Sequence, residues 1–330
     1  MKHTTSLSAL ALVAASAFAL SGCAASDPAS VSDEMITIGI SQIVQHQALD
    51  DAREGFKKAF ADAGYVEGTD INFDEQNAQG EQATASTIAA KFAADKVDLV
   101  LAIATPTAQA AAQTIIDIPV LFTAVTEPKE AGLVESWEKP GSNITGTSDL
   151  NPVKEQLELI QEILPDAKSV GIIYSSGEVN SDVQVELAKE AAKDLGLTIK
   201  EATVTNSSEV AQATESLGNV DAIYIPTDNR VTEGLEAVIQ YSEANQVPLF
   251  GAENGQVERG AIATYGINYT DLGYQTGQMA IRILEDGENP ADMPVETLDT
   301  IEFILNPAAA QRMGVTLSEE LVAKADRIIE

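Results

Sequence analysis

Short apolar runs alternate with longer amphipathic stretches along most of this chain. Residues 35–40 (MITIGI) predict a β-strand, and residues 48–63 predict a helix because apolar side chains recur there at helical spacing. The run at 97–104 (VDLVLAIA) has no polar residue after Asp98, which is typical of a strand with both faces covered by helices. This order of strands and helices predicts βαβ units with a parallel sheet, and therefore an α/β fold.

The second half of the chain repeats this plan. Residues 169–174 (SVGIIY) correspond to 35–40, and residues 220–228 (VDAIYIPTD) correspond to 97–107 (VDLVLAIATPT), at similar offsets along the sequence. Such a repeat indicates a duplicated structural unit. We therefore expect two similar lobes, each a parallel sheet flanked by helices.

The boundary between the two lobes is predicted near residues 148–152. Asn151 is expected there to cap a helix whose first residue is Pro152. An amphipathic stretch at 271–284 has few partners left in the second half, and a last strand follows at 300–305. The chain is therefore expected to cross between the lobes more than once.

The N-terminus has the pattern of an export signal. An apolar stretch at 7–20 is too short to span a membrane comfortably and indicates the core of a signal peptide. The sequence LSGC, which ends at Cys23, resembles the bacterial lipobox. This resemblance implies removal of residues 1–22 and attachment of lipid, including palmitate, to Cys23, so that residues 23–34 form a lipidated N-terminus and tether. An ordinary signal peptide with a chance cysteine is the alternative.

The net charge and the small numbers of cysteine and histidine argue against several classes of function. Lys and Arg total 19 against 51 Asp and Glu, a formal net charge of −32, so no nucleic-acid partner is expected. Cys23 is the only cysteine and His46 the only histidine after the signal peptide, so no Cys/His metal cluster is expected. The chain has no G-x-S-x-G, G-x-G-x-x-G or Walker motif, so we predict neither a catalytic constellation nor a cofactor.

The segments that follow the predicted strands are the candidate binding site, because ligands of open α/β sheets bind beyond the carboxyl ends of the strands. The most informative segment is 104–107. Thr105 is expected to cap a helix, with Pro106 at its first position and Thr107 in its first turn. Free backbone N–H groups and the positive end of the helix dipole would then face a ligand carboxylate. A plain capping role for Thr105 is the alternative.

Other candidates follow the neighbouring strands of both halves. Thr123 and Thr126 offer hydroxyl groups to the same pocket. Asp228 is expected to accept hydrogen bonds from a ligand ammonium, Asn229 suits either polarity, and Asp149 is the second candidate for the ammonium. The remaining candidates are Gln42, Tyr174, Glu253 and Tyr265. A capping, turn or rim role is the alternative for each.

Five segments of the chain are similar to segments of a known family. They read IGISQIVQHQALDDAREGFKKAFADAGY, VDLVLAIATPTAQAA, PVLFTAVTEP, SDLNPVKEQLELI and VDAIYIPTDN. They resemble the bacterial ABC-transporter substrate-binding family that includes tryptophan-binding lipoproteins. The resemblance implies a type I periplasmic-binding fold, in which three crossovers join two lobes that close over a ligand. It places residues 35–148 plus 271–298 in the first lobe and 149–270 plus 299–330 in the second.

The resemblance also implies a function. The chain would bind a small amino acid, aromatic or branched, in the interlobe cleft and pass it to an ABC permease in the membrane. We expect a monomer without enzymatic activity or cofactor, held at the extracytoplasmic face of the cell membrane by the lipid on Cys23. A ligand-sensing protein for a sugar, a nucleoside or a signal molecule is the alternative. Sugar-binding relatives usually stack aromatic rings on the sugar, whereas the sole tryptophan, Trp137, is expected in an exposed connection.

Overall fold

The structure is a computed structural model and describes residues 35–329. The predicted signal peptide, Cys23 and the tether lie outside the described residues. Within these residues the apolar runs form strands and the amphipathic stretches form helices that flank them, which confirms the predicted α/β fold. No helix in this range is long and apolar enough to cross a membrane.

The strands and helices follow each other in alternation through most of the described chain. The strands are β1 (Ile36–Gln42), β2 (Ile71–Asn77), β3 (Leu99–Ile103), β4 (Val120–Thr123), β5 (Ile144–Ser148), β6 (Ser169–Ser175), β7 (Thr198–Val204), β8 (Ala222–Ile225), β9 (Leu249–Gly251), β10 (Ala263–Gly266), β11 (Glu296–Thr297), β12 (Glu302–Leu305) and β13 (Arg327–Ile328). The helices are α1 (Gln47–Asp62), α2 (Gln82–Asp95), α3 (Thr105–Thr114), α4 (Val153–Ile163), α5 (Val179–Leu195), α6 (Val210–Ser216), α7 (Asn229–Glu233), α8 (Leu235–Asn245), α9 (Asn254–Arg259), α10 (Tyr269–Ile281), α11 (Pro307–Arg312) and α12 (Glu319–Lys324).

The strands form two parallel sheets and one small mixed sheet. The first sheet has the order β11-β5-β4-β3-β1-β2, and the second has the order β7-β6-β8-β9. All strand pairs in these two sheets are parallel, as the alternation of strands and helices predicts. The third sheet, β10-β12-β13, pairs β10 with β12 antiparallel and was not predicted.

Two separate clusters of buried apolar side chains form the cores. The first surrounds the six-stranded sheet and includes side chains of α10, and the second surrounds the other two sheets. The chain passes from one cluster to the other after β5, between β10 and α10, and between β11 and β12. These passages are the three crossovers of the type I periplasmic-binding fold. The predicted residue bounds of the two lobes stay a prediction.

Helix α10 returns to the first core and packs on α1 at very short distance. A Cβ atom added to Gly273 would lie 1.8 Å from the backbone oxygen of Ala52, and one added to Gly277 would lie 2.7 Å from the backbone oxygen of Phe56. Only glycine allows the two helix backbones to approach this closely. The second passage between the lobes is therefore fixed to the first core by backbone contact.

One local prediction is wrong, and a second holds for most of the connection at 135–141 but not for the tryptophan ring in it. Helix α4 begins at Val153 rather than Pro152, and the Asn151 side chain does not cap it. Instead, the Asn151 amide donates to the Asp149 carbonyl at 3.0 Å and to the Thr227 hydroxyl at 3.3 Å. Trp137 is half-buried against the first core, and its indole N–H donates to Glu127 at 2.8 Å. The connection around Trp137 is thus anchored to the first lobe by that ring.

Candidate functional site

The carboxyl ends of strands in both parallel sheets meet where the two lobes touch. His46, which follows β1, has its Nε2 atom 3.4 Å from the side-chain oxygen of Asn229, which follows β8. The Arg230 guanidinium lies 3.5 Å from the Gly80 carbonyl of the first lobe. Burial lowers the pKa of His46 to about 4, so its imidazole is neutral at this seam near neutral pH. These contacts join the two lobes directly.

The start of α3 follows directly after β3 of the first sheet, with a cap that differs from the predicted one. The helix begins at Thr105, and the N-cap position is held by Ala104, whose φ of 81° is a backbone conformation that side-chain-bearing residues rarely adopt. Pro106 is therefore at the second position of the helix rather than at the predicted first. The Thr107 hydroxyl donates to the Ile103 carbonyl at 2.6 Å, so it serves the backbone. The Thr105 hydroxyl is buried and has no partner among residues 35–329, which leaves it available to a ligand.

Asp149 is buried between two hydroxyl groups. Thr126 donates to its Oδ1 atom at 2.8 Å, and Tyr269 donates to its Oδ2 atom at 2.8 Å. Burial raises the pKa of Asp149. Thr123 is buried nearby in the same sheet and accepts a hydrogen bond from Thr147 at 3.1 Å. The structure therefore brings Asp149 and Thr126 together, whereas the Thr123 hydroxyl is engaged inside the first lobe.

Asp228 is buried and its oxygens are occupied by the second lobe itself. Its Oδ2 atom accepts hydrogen bonds from the Ser175 backbone at 2.5 Å and from the Ser181 hydroxyl at 2.6 Å. Its Oδ1 atom accepts from the Val231 backbone at 2.8 Å, which caps α7. Asp228 thus links β6, α5 and α7. Because both of its carboxylate oxygens already accept hydrogen bonds from the protein, Asp228 can offer little to a ligand ammonium.

Replacing Asp228 with Ala is expected to lower the free energy of unfolding by about 2–4 kcal/mol, because three buried donors lose their acceptor. Urea denaturation of the ligand-free protein measures this loss. Glu215→Ala, on an exposed position of α6, is the control and should leave the midpoint unchanged. An Asp228→Ala protein with wild-type stability and weakened ligand affinity would contradict the structural role and restore the role in ligand binding.

Glu178 is a further buried side chain beside Asp228 and Asn229, and it was not among the predicted site residues. Its Oε2 atom accepts hydrogen bonds from the side chains of Asn229 at 2.5 Å and Asn180 at 3.1 Å. Its Oε1 atom lies 3.9 Å from the Arg230 guanidinium. Burial, and next the negative charge of Asp228, raise the pKa of Glu178 to about 7. Asn229 therefore links His46 of the first lobe to Glu178 of the second.

Glu253 is a buried carboxyl whose side chain takes part in the capping box of α9 and still leaves one oxygen without a partner among residues 35–329. It follows β9, is 1% exposed, and its Oε2 atom has no hydrogen-bond partner in the described part of the chain. Burial raises the pKa of Glu253 well above its usual range, and the negative charge of Asp149 adds to the shift, while Arg259 opposes it. A carboxyl in this position would gain from a cationic ligand group placed beside it.

Three predicted site residues are not brought into this group. The Gln42 amide nitrogen donates to the Val44 carbonyl at 2.8 Å and to Asp50 at 2.9 Å. The Tyr174 hydroxyl donates to Glu201 of the neighbouring strand at 2.9 Å. The Tyr265 ring packs on Phe303 with centroids 4.8 Å apart and lines a separate surface groove of about 300 Å³ beside α4. These side chains are engaged by their own lobe.

Several buried polar atoms without hydrogen-bond partners among residues 35–329 lie near the carboxyl ends of strands in both lobes. Buried polar groups normally have hydrogen-bond partners, so such atoms point to a bound polar molecule. Those that lie at strand ends or in the segments directly after strands are Ser41 Oγ, His46 Nδ1, Thr105 Oγ1, Asn151 Oδ1, Ser175 Oγ, Glu253 Oε2 and Asn254 Oδ1. The others in the described part of the chain are Asn180 Oδ1, Ser242 Oγ and Arg282 Nε. Both lobes contribute, and the set contains hydroxyl donors as well as a carboxylate. Residues 35–329 contain no group of His, Cys, Asp and Glu that could hold a metal ion.

Comparisons with known proteins agree with this geometry. A family model described as ABC transporter substrate binding protein matches residues 37–329. The chain is also similar to a protein named tyrosine-binding protein from Clostridioides difficile (strain R20291). The two are 45% identical over 296 residues, which are 87% of this chain and 86% of that protein.

Two similar solved structures differ in how well they superpose on this one. An ABC domain from Streptococcus pneumonia in complex with L-Trp gives a TM-score of 0.86 at 36% identity, covering 90% of this chain and 100% of that chain. A ligand-free, open structure of a substrate binding protein with adhesive properties from Clostridium difficile gives 0.68 at 44% identity, covering 90% and 99%. The more similar sequence superposes less well over the same share of the chain. This chain therefore superposes better on the L-Trp complex than on the ligand-free, open structure, in agreement with the direct contact between His46 and Asn229.

The fold, the site between the lobes and the match over nearly all described residues lead to one conclusion. The chain belongs to the ABC transporter substrate-binding proteins, a family of extracytoplasmic binding proteins rather than enzymes.

Proposed function

We propose that this chain binds one free aromatic amino acid between its lobes and passes it to an ABC permease in the membrane. The observation that carries the proposal is the set of buried, unpartnered polar atoms at the strand ends of both lobes. Such atoms cost free energy unless a ligand supplies their hydrogen bonds. A ligand that satisfies donors and acceptors from both lobes at once would stabilise the closed arrangement.

The ammonium group of the ligand is assigned to Glu253. Asp149 and Asp228 already accept hydrogen bonds from the protein through both of their oxygens, whereas Glu253 Oε2 accepts none within the described residues. A buried carboxylate beside an ammonium forms a strong, charge-assisted hydrogen bond. Glu253 therefore replaces Asp228 as the preferred partner of the ammonium, and Asp149 adds negative charge nearby.

The carboxylate group of the ligand is assigned to the start of α3. The Thr105 hydroxyl is buried and unpartnered, and the helix runs for ten residues from this point. The first N–H groups of a helix and its dipole favour a carboxylate. Hydroxyl groups are the available donors, since the chain offers no arginine in this segment. The two ends of an amino acid would thus be held by different lobes.

The aromatic nature of the ligand rests on the relatives. A protein named tyrosine-binding protein shares 45% identity with this chain, and the solved relative at 36% identity contains L-Trp. We propose L-tyrosine or a similar aromatic amino acid for this chain. A branched amino acid, a sugar and a nucleoside are the ligands against which the proposal must be tested.

A thermal-shift panel tests this proposal on residues 24–330, unfolded and refolded first to remove any carried ligand. Aromatic L-amino acids are expected to raise the melting temperature, because a ligand at about one hundred times its dissociation constant adds about 2.7 kcal/mol of stability. Branched amino acids, hexoses and nucleosides complete the panel. A shift with sugars or nucleosides alone would contradict the proposed ligand and leave the family assignment intact.

We also propose that lipid on Cys23 holds the protein, as a monomer, at the outer face of the membrane. The lipobox-like LSGC sequence supports the anchor. An anchor would also keep the protein close to the permease, which is embedded in the membrane. Mass spectrometry of the N-terminal peptide from a membrane fraction tests it. A lipid-modified peptide that begins at Cys23 is the expected result, and an unmodified Cys23 in a longer or differently cleaved peptide would contradict the anchor.

A further inference from the structure

Helix α5 carries a partly exposed apolar stripe that the ligand site does not use. Val179, Val183 and Leu187 follow each other at intervals of four residues, so they lie on one face of the helix. Leu187 is 37% exposed. Along the same face run three acidic side chains, again at intervals of four, which are Asp182, Glu186 and Glu190. The stripe is therefore apolar along its centre and acidic along one side.

Helix α5 lines most of the groove that contains this stripe, and the first lobe adds one side chain to it. Glu130, in the segment after β4 of the first lobe, lines the groove opposite α5 of the second lobe, and the groove encloses about 420 Å³. Val179 at the start of α5 also packs against the core of the first lobe. Because Glu130 and the packing of Val179 join the groove to the first lobe, a rotation of one lobe away from the other would remove that side of the groove. The groove is thus a feature of the closed arrangement.

The charge of the groove specifies the chemistry of an occupant. Lys189, the basic side chain of this part of α5, lies 2.9 Å from Glu186 and 3.0 Å from Glu201. Glu130, Asp182 and Glu190 have no ion-pair partner among residues 35–329. The repulsion of Glu186 adds to partial burial in raising the pKa of Asp182. A segment with Lys or Arg side chains around one apolar side chain would complement the groove in both charge and polarity.

We infer that this groove docks a basic, apolar-tipped segment of the membrane permease and so reports closure of the lobes to the transporter. The inference rests on the proposed function, since it requires a permease that receives the ligand. Beyond that function, it names the surface at which the permease docks and the charge and polarity of the docking segment. Docking at a groove that only the closed lobes form gives the permease a physical means to distinguish loaded from open receptor.

The test combines uptake and ligand affinity for the full-length, anchored chain. Asp182→Lys with Glu190→Lys is placed in a strain of the source organism that lacks the native copy. Asp166→Lys with Glu215→Lys is the matched control, because it makes the same charge change on exposed positions of the second lobe that precede strands β6 and β8, at the opposite edge of the sheet. Uptake of labelled L-tyrosine is measured in cells in which the amount of this protein limits the rate. The dissociation constant of each variant for L-tyrosine is measured by calorimetry.

The groove variant is expected to lower uptake by about tenfold or more while its affinity for L-tyrosine stays that of wild type, because like charges at an interface oppose docking. The control should match wild type in both measurements. Leu187→Glu, a single change on the same stripe, should likewise lower uptake and leave the affinity for L-tyrosine unchanged. Uptake equal to wild type would overturn the inference, and so would an equal loss of affinity, since the groove would then act in closure. Failure of the wild-type protein to bind L-tyrosine would instead contradict the proposed ligand.

Discussion

Replacing Glu253 with Gln is expected to weaken binding of L-tyrosine by at least about a hundredfold, or about 2.8 kcal/mol. The side chain is buried, and its Oε2 atom has no partner in residues 35–329. Removing one charge of a buried pair costs about 2–5 kcal/mol, since the ammonium of the ligand would stay buried without its counterion. Glutamine keeps the size of the side chain, so the change isolates the charge.

Ligand-free Glu253→Gln protein should be at least as stable as wild type, because the buried carboxyl lacks a full set of partners and its charge is costly to bury. Glu258→Gln is the control on the same helix, at an exposed position that pairs with Arg327. It should bind L-tyrosine like wild type. Wild-type affinity in Glu253→Gln would remove Glu253 from the site.

Proton release gives a second measure of the same role. The pKa of Glu253 is raised well above its usual range by burial, so in the ligand-free protein the carboxyl holds its proton to a higher pH than an exposed glutamate. A bound ammonium favours the charged form and lowers this pKa. Binding therefore releases a proton, and affinity rises with pH up to the pKa of the free protein. Calorimetry in buffers of different ionisation enthalpy detects this proton in wild type and should find it lost in Glu253→Gln.

Replacing Gly273 with Ala is expected to destabilise the whole protein by about 3 kcal/mol or more, at the upper end for overpacking changes. The added Cβ atom would lie 1.8 Å from the Ala52 oxygen and 2.6 Å from the Ala52 carbonyl carbon. These are backbone atoms of α1, which is packed on the first core, so neither helix has a flexible side chain that could move aside. Helix propensity alone would favour alanine, and the steric term outweighs it.

Thermal unfolding measures this effect, and the melting temperature should fall by roughly 6 °C or more. Gly255→Ala is the matched control because that glycine is also in a helix and its added Cβ atom would be 3.7 Å from the Gln47 side chain, an ordinary contact. It should leave the melting temperature unchanged or raise it slightly. Equal melting temperatures for Gly273→Ala and wild type would show that α10 and α1 are further apart than described.

Much of the fold could be predicted because the order of strands and helices follows from local patterns of apolar and polar residues. Runs such as MITIGI and VDLVLAIA become strands of the first sheet, and the repeat in the second half becomes the second sheet. Strand β5 was missed because its sequence, ITGTS, is polar although all five residues are buried. The small mixed sheet was missed as well, since it pairs short strands that are distant along the chain and no periodicity encodes such pairing.

The site could be predicted only in part. Topology placed the candidates at the strand ends, yet it could not tell which polar side chains the protein itself would occupy. Thr107 and Asp228 serve backbone groups, whereas Thr105 and Glu253 keep free polar atoms. Glu178 is one of 51 acidic residues in the sequence, and nothing in its local pattern marks it as buried. The role of each site residue in ligand binding stays a prediction.

Calorimetric titration of refolded protein with L-tyrosine tests the central claim most directly. Tyramine, which lacks the carboxylate, and 3-(4-hydroxyphenyl)propionate, which lacks the ammonium, serve as matched ligands. L-Tyrosine is expected to bind with a dissociation constant of about 1 µM or below, and each analogue about tenfold or more weakly, because each leaves one pole of the site without its partner. Analogues that bind as tightly as L-tyrosine, or no binding of any aromatic amino acid, would contradict the account.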